Sequence, residues 1–409
     1  MNIFKQYKGL SYEVYLISLS RLVVSVGAFI WPLFVIILDT KLNMSTKEIT
    51  IYALVSMVIS LLSSMGGGIL SDKFGKKKTI VLFELLGMIS FLLIIFFEIG
   101  IITAVLLMVG MLFFGLAGPA HEALLANITK TEERETAYSL NYIAMNLGFI
   151  VGPALGALLL ENHFTLFIII DVFTTLLGWI LLVMFVKEKK HIVTENAYET
   201  ETKDSIISIM RNRPVIFFYG LLSFFTSFTY GQLDFTLPLY ITSLFKDGDK
   251  VFGLMYSFNG LVVVLFTAAI TFLFRRKTAM TKLTIGYALY IITLFAFSVV
   301  DFKIGLFGLL FIFPIGEIII AIGGAPIISK IVPQNLMGRI SGLMSIFYIS
   351  GHMIATLIPG SLIDAGYSFS YVWVVVGLLS LVGYGYFFIF RAKYGKILNE
   401  VDSFDLNRK

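Results

Sequence analysis

The chain has 409 residues, 58% of them apolar and only 14% charged, with a mean hydropathy of +0.91. A water-soluble surface of this size needs nearer a quarter charged residues, so lipid must be the solvent for much of the protein and a wholly soluble fold is excluded. The absence of cysteine excludes disulfide frameworks, thiolate metal sites and cysteine nucleophiles. The net charge of +5 matters less by its sum than by where the basic residues fall.

About 20 apolar residues are needed to cross the hydrocarbon. Windows of that kind fall at 12–38, 49–70, 79–97, 101–126, 137–160, 165–186, 214–245, 251–274, 282–300, 304–329, 340–363 and 369–391. They predict an all-α membrane protein with twelve transmembrane helices. Arg21 interrupts the first window and no small-residue cleavage site follows, so the first helix is expected to stay in place rather than be removed as a signal peptide. With the N-terminus placed in the cytoplasm, 25 of the 31 Lys and Arg fall on the cytoplasmic side, in clusters such as Lys76-Lys77-Lys78, Lys187/Lys189/Lys190 and Arg275-Arg276-Lys277. The outer loops hold five (Lys41, Lys47, Lys246, Lys250 and Lys303), and Arg21 lies inside a span. This asymmetry predicts a multi-pass protein of the cell (inner or plasma) membrane with both termini cytoplasmic. Every basic cluster lies within a few residues of a span, which speaks against a nucleic-acid partner.

The longest polar stretch, 187–213, separates six spans from six and reads as a cytoplasmic linker. The expected organisation is an N-terminal half over 1–186, the linker over 187–213, a C-terminal half over 214–395 and a cytoplasmic tail over 396–409. The halves echo each other. Arg134 leads into TAYSLNYIAMNLGFIVGPALGALL and Arg339 into ISGLMSIFYISGHMIATLIPGSLI, with Pro153 and Pro359 spaced 206 residues apart. A parallel repeat of this kind places a substrate between two six-helix halves near midplane.

Two motifs carry a family resemblance. Between spans two and three the chain reads GGGILSDKFGKKK. Its Gly68, Asp72, Lys73, Gly75, Lys76 and Lys78 match the loop signature of the major facilitator superfamily, where glycine allows a tight turn and close helix approach. In that reading Asp72 latches one conformational state by engaging basic residues or a helix N-terminus. Span five carries Gly148, Gly152, Pro153 and Gly156, which resembles the antiporter signature of the same superfamily. Small residues at four-residue spacing let helices pack backbone to backbone, and the proline bends the helix. The arginine common in span four of drug exporters is missing, since Met111 stands four residues before Gly115.

Ionisable residues inside spans cost about 2.5–3.5 kcal/mol each on insertion scales and so need a partner, a cavity or a proton. Arg21 lies in span one, Asp234 in span seven within YGQLDFTLPLY and Glu317 in span ten within FPIGEIIIAIGGAP. These three segments resemble the drug:proton antiporter family of LmrP-like multidrug transporters, and the resemblance covers essentially the whole chain. It implies that Glu317, Asp234 and Arg21 serve proton coupling and substrate binding, with Glu317 the main substrate carboxylate and Asp234 a relay nearer the outer side. Asn127 and Asn141 stand where those proteins carry acids. Glu84, Asp171, His121, Glu122 and His352 are also ionisable, and for Glu84, Asp171 and His352 a structural role is favoured. Phe235, Tyr230, Met145, Phe313 and Tyr348 share spans with candidate residues and suit a lipophilic cation by dispersion and cation–π attraction.

No phosphate-cradling Gly-x-x-x-x-Gly-Lys-Ser/Thr loop, His-x-x-x-His spacing or Gly-x-Ser-x-Gly elbow occurs. No cofactor and no metal is therefore expected, the proton gradient being the energy source, and a catalytic role for His121-Glu122 is the weakest alternative. The expected function is proton-driven export of a lipophilic, cationic small molecule by a monomer in the bilayer. The alternatives are proton symport of a small metabolite and export of a lipid or siderophore.

Overall fold

The computed structural model describes residues 7–130, 133–186, 210–331 and 337–406. Among the described residues ten helices are long and apolar enough to cross a membrane. They are Thr46–Phe74, Lys76–Phe96, Ile101–Ile128, Thr136–Asn162, Phe164–Phe185, Gly248–Phe274, Ala279–Phe297, Lys303–Gly324, Leu343–Asp364 and Phe369–Lys396. These are spans two to six and eight to twelve of the hydropathy windows. Spans one and seven are crossed by interrupted helices. The first runs Tyr12–Gly27 and resumes as a short helical stretch, Phe34–Ile36, ending in a π-turn over Ile37–Lys41. The second runs Pro214–Tyr230 and resumes as Thr236–Leu244. Among the described residues the ten continuous helices and these two broken ones fall on the twelve expected spans, and no strand occurs.

Local chemistry sets the helix boundaries. Ser45 and Glu48 form a reciprocal capping box at the start of span two, with Ser45 N–H donating to Glu48 Oε2 at 2.8 Å. Thr278 caps span nine by accepting from Thr281 N–H at 3.3 Å. Span two ends at Gly75, whose φ of 97° lies where a side chain would be strained, and span three starts at the next residue. Large apolar side chains such as Leu62, Ile69, Phe96, Ile101 and Leu273 are exposed, as lipid contact requires. Of the expected 187–213 linker, residues 187–209 lie outside the described residues. The last helix runs Phe369–Leu406, beyond residue 395.

The chain forms two compact units. One holds the described residues through 186 together with Ile241–Leu261, and the other holds those from 210 to Tyr240 together with those from Val262 onward. In the first unit, span five lies along span one. A Cβ at Gly148 or Gly152 would collide with Ser25 and Val26, and one at Gly156 with Phe29 and Leu33. Span eight joins the same unit through Gly253, which lies against Ala157 and the Pro153 carbonyl, and through Ser257 Oγ, which accepts from Ala154 N–H at 3.0 Å. Around these contacts Lys250 pairs with Glu161, Lys41 Nζ donates to the Glu161 carbonyl at 2.7 Å, and Thr242 Oγ1 donates to Asp39 Oδ2 at 3.1 Å. In the second unit, span ten packs on span nine at Gly286 and Gly316, and span eleven packs on span seven at Gly351 and Phe224.

Candidate functional site

The broken span seven builds the first part of the site. Gly231 caps the helix Pro214–Tyr230, donating to the Ser227 carbonyl at 2.8 Å, and Pro238 enters the third position of the resumed helix, where its missing N–H costs nothing. The amides of the break turn back on its own backbone, those of Leu233, Asp234 and Phe235 donating to the Tyr230 and Gly231 carbonyls, and the fully buried Gln232 braces it from the side. Its Nε2 donates to the Phe228 carbonyl at 3.1 Å and to the Ala355 carbonyl of span eleven at 3.4 Å, while its Oε1 accepts from Thr236 Oγ1 at 2.6 Å. Any Cβ at Gly231 would press within 2.8 Å of Ala355 and 3.1 Å of His352 Nδ1. Glycine there lets span eleven approach until His352 Nε2 stands 3.4 Å from Asp234 Oδ2.

This pair is partly open, with side-chain exposures of 30% for Asp234 and 19% for His352. Glu317 enters from span ten, where Gly316 lets that helix close on span nine. Its Oε2 is buried and has no hydrogen-bond partner among the described residues, although the side chain as a whole is only partly buried. The charge of Asp234 acts on Glu317, and those of both acids act on Tyr348. Tyr348 stacks on His352 at 6.3 Å between ring centroids. Beside them Phe313 stacks on Tyr290 at 4.2 Å and contacts Tyr230 at 6.3 Å. The second unit thus brings together two carboxylates, one imidazole and a set of aromatic faces. Such a cluster can exchange protons for a cation, because either neutralises the carboxylates. His352 joins the cluster through its contact with Asp234. That contact depends on Gly231, a glycine beside a proline-containing acidic segment, and that was the available signal.

The first unit holds the other ionisable residues. Arg21 lies here, its Nε buried and without a hydrogen-bond partner among the described residues. His121 Nε2 and Glu84 Oε1 are 2.6 Å apart, joining spans three and four. Asp171 of span six accepts at Oδ2 from Phe29 N–H at 2.9 Å and Ile30 N–H at 3.0 Å, at the break in span one. Asn141, in span five, directs its amide at Met145 Sδ at 3.9 Å, and its Oδ1 and that of Asn127 are buried without partners among the described residues.

The motif residues occupy distinct places. At Gly68 an added Cβ would meet nothing, whereas Gly67 lies against the Leu116 backbone of span four. The close helix approach therefore belongs to Gly67, because the rotation of span two points that residue inward. Asp72, Lys73 and Lys78 are exposed, and Lys73 Nζ lies over its neighbour Phe74 at 5.4 Å. Lys77, one residue outside the matched positions, donates to the carbonyls of Val183 and Val186 at 2.8 and 2.7 Å and so caps the end of span six.

Comparison with known proteins agrees with this architecture. Residues 17–356 match the family model described as Major Facilitator Superfamily. A Na(+), Li(+), K(+)/H(+) antiporter from Planococcus maritimus is 24% identical over 375 residues, covering 83% of this chain and 86% of that protein. Sucrose permease from Escherichia coli is 28% identical over 278 residues, covering 63% and 64%. Among solved structures, a peptide transporter POT in complex with sulfate superposes with a TM-score of 0.72 at 14% identity, over 95% of this chain and 95% of the other. A D-xylose-proton symporter gives 0.71 at 15% identity, over 92% and 97%. A family match spanning residues 17–356, on an all-helical fold with ten continuous membrane-spanning helices among the described residues, makes the chain a multi-pass membrane transporter that belongs to the Major Facilitator Superfamily.

Proposed function

We propose that the protein is a proton-driven exporter of lipophilic, cationic small molecules, working by alternating access in the plasma membrane with its basic loops and both termini in the cytoplasm. The observation that carries this reading is the convergence of Asp234, His352 and Glu317 at the span-seven break, with Glu317 Oε2 unpartnered among the described residues. Open to the outside, Glu317 takes up a proton and the bound cation leaves. Open to the cytoplasm, the proton leaves and the carboxylate binds the next cation, so inward proton flow drives export. Tyr230, Tyr348 and Phe313 supply ring faces for an organic cation. The span-five stripe, which in this protein packs backbone to backbone on span one, matches the antiporter signature. Asp72 and the loop from Gly68 to Lys78 act as the conformational latch, and each six-helix half, 1–186 and 214–395, moves as a body about the 187–213 linker. Arg21 contributes through the first unit. The protein works as a monomer without a cofactor.

A second reading has its own support. The relative from Planococcus maritimus is named for exchange of Na(+), Li(+) or K(+) against protons, and two carboxylates beside one imidazole suit a small inorganic cation as well. Purified protein in liposomes containing a trapped pH dye, acidic inside, separates the possibilities. Collapse of the gradient on adding tetraphenylphosphonium is the expected result. Collapse with Na(+), Li(+) or K(+) alone selects the second reading. Proton entry driven by a neutral sugar identifies symport and overturns antiport, and no response to any cation overturns both antiport readings.

A further inference from the structure

A second ionisable group stands in the first unit, unused by the mechanism above. Glu84 of span three and His121 of span four meet at 2.6 Å between Oε1 and Nε2, with side-chain exposures of only 11% and 8%. Glu84 lies eight residues after the start of its helix at Lys76, and His121 seven residues before the end of its helix at Ile128. Arg21 lies nine residues after the start of span one at Tyr12. At 1.5 Å per residue all three therefore sit about 10–14 Å from the face that carries the basic loops. That depth is too great for a surface ion pair.

The surroundings limit what else acts on the imidazole. The charges that reach His121 are those of Arg21 in span one, Glu84 in span three and Glu122 on its own helix. Span six packs against span three and carries a single ionisable residue, Asp171, which is engaged by the Phe29 and Ile30 amides. Spans one, three, four and six also share an apolar cluster that includes Val14, Ile17, Ile80, Ala120, Leu124 and Leu182, with Tyr138 of span five packed against it.

We propose that Glu84 and His121, with Arg21 as a fixed positive charge, form a second proton-binding site that loads and unloads independently of the Asp234–His352–Glu317 cluster. With a neutral imidazole, Nε2–H donates to the Glu84 carboxylate, whose charge Arg21 balances, while Glu122 adds a further negative charge outside this group. Adding a proton at Nδ1 gives an imidazolium that keeps the same hydrogen bond, and the group then carries one net positive charge. Both proton counts leave the contact made, so the proton comes and goes without exposing an unpaired buried polar group. Arg21, whose Nε has no hydrogen-bond partner among the described residues, sets the charge balance without itself titrating. A purely structural pair needs no third charge, since packing apolar side chains at such a site is often as stable.

The test is potentiometric. Proton uptake by the purified protein in detergent between pH 8 and pH 5 is compared for wild type, His121→Asn and Glu84→Gln. The proposal expects His121→Asn to bind about one proton fewer per molecule, and Glu84→Gln to displace the pH at which that proton binds. Unchanged uptake in His121→Asn, with Glu84→Gln also indistinguishable from wild type, overturns it. Trp179 donates to the Val81 carbonyl at 3.0 Å, one turn before Glu84, so its emission checks that each variant keeps spans three and six packed. The same comparison in a Glu317→Gln background tests independence. Persistence of the His121-dependent proton supports two separate sites, and its disappearance overturns that claim while leaving the role of Glu317 intact.

Discussion

Spans one and seven both break, the first after Gly27 and the second after Tyr230, and the protein repairs the two breaks with different chemistry. At span one the freed amides of Phe29 and Ile30 are held by a carboxylate, Asp171, which is 6% exposed. At span seven the break turns on its own backbone and is braced by a neutral amide, Gln232, bonded to the Phe228 carbonyl, the Ala355 carbonyl of span eleven and the Thr236 hydroxyl. The consequence falls on the nearby acid. Asp171 is consumed by the backbone, whereas Asp234 is left 30% exposed and faces the His352 imidazole at 3.4 Å. A break supported by a neutral side chain leaves its carboxylate available for exchange; a break supported by a carboxylate does not.

The largest effect expected from this contrast is on folding. Asp171→Ala strips the buried Ile30 N–H of its partner, a cost of about 1–3 kcal/mol, and leaves Phe29 N–H only the Gly27 carbonyl at 2.8 Å. It should sharply lower the melting temperature and the yield of monodisperse protein. Asp234→Asn should leave both nearly unchanged, and equal losses in the two variants would erase the distinction. Next comes Gln232→Leu, which strips the span-seven break of its support at about 1–3 kcal/mol and should also impair transport by misplacing Asp234. A variant that melts like wild type would show that Gln232 is not the support.

Ligand binding should change less than folding and in a definite order. Affinity for tetraphenylphosphonium should fall more in Glu317→Gln than in Asp234→Asn, because Asp234 already shares its charge with His352. A contact at about 4 Å is worth roughly 4 kcal/mol at an effective dielectric near 20 before desolvation, and a quarter of that is about a five-fold affinity change. A greater loss in Asp234→Asn would transfer the main role to that residue. The smallest effect belongs to the exposed Lys250–Glu161 pair. Lys250→Ala should leave the melting temperature nearly unchanged, since solvent screens the pair.

Much of the fold was readable from hydropathy, because a window of about 20 apolar residues reports a crossing whatever its internal geometry. Continuity was not readable in that way. The windows at 12–38 and 214–245 are as apolar as the others, and their breaks are betrayed only by Gly27 with Pro32 and by Gly231 with Pro238. The span-five stripe was legible because its spacing alone sets a packing face. The choice between Gly67 and Gly68 was not, since it depends on how span two is rotated about its axis. Glu317 and Asp234 were found as acids inside apolar segments. Their neighbour His352, and the Glu84–His121 contact, involve partners far apart in sequence, and no local pattern announces such a meeting. Asp171 was favoured as structural, and its two backbone hydrogen bonds supply the physical reason.

The central claim is that protons and cations compete for the carboxylates at the span-seven break. Proton release on cation binding, measured with a pH dye on purified protein in weakly buffered detergent solution, tests it most directly. Wild type should release about one proton for each tetraphenylphosphonium bound, and Glu317→Gln should release none at a ligand concentration that still saturates it. Undiminished release from saturated Glu317→Gln, or binding to wild type without any proton release, would contradict the account.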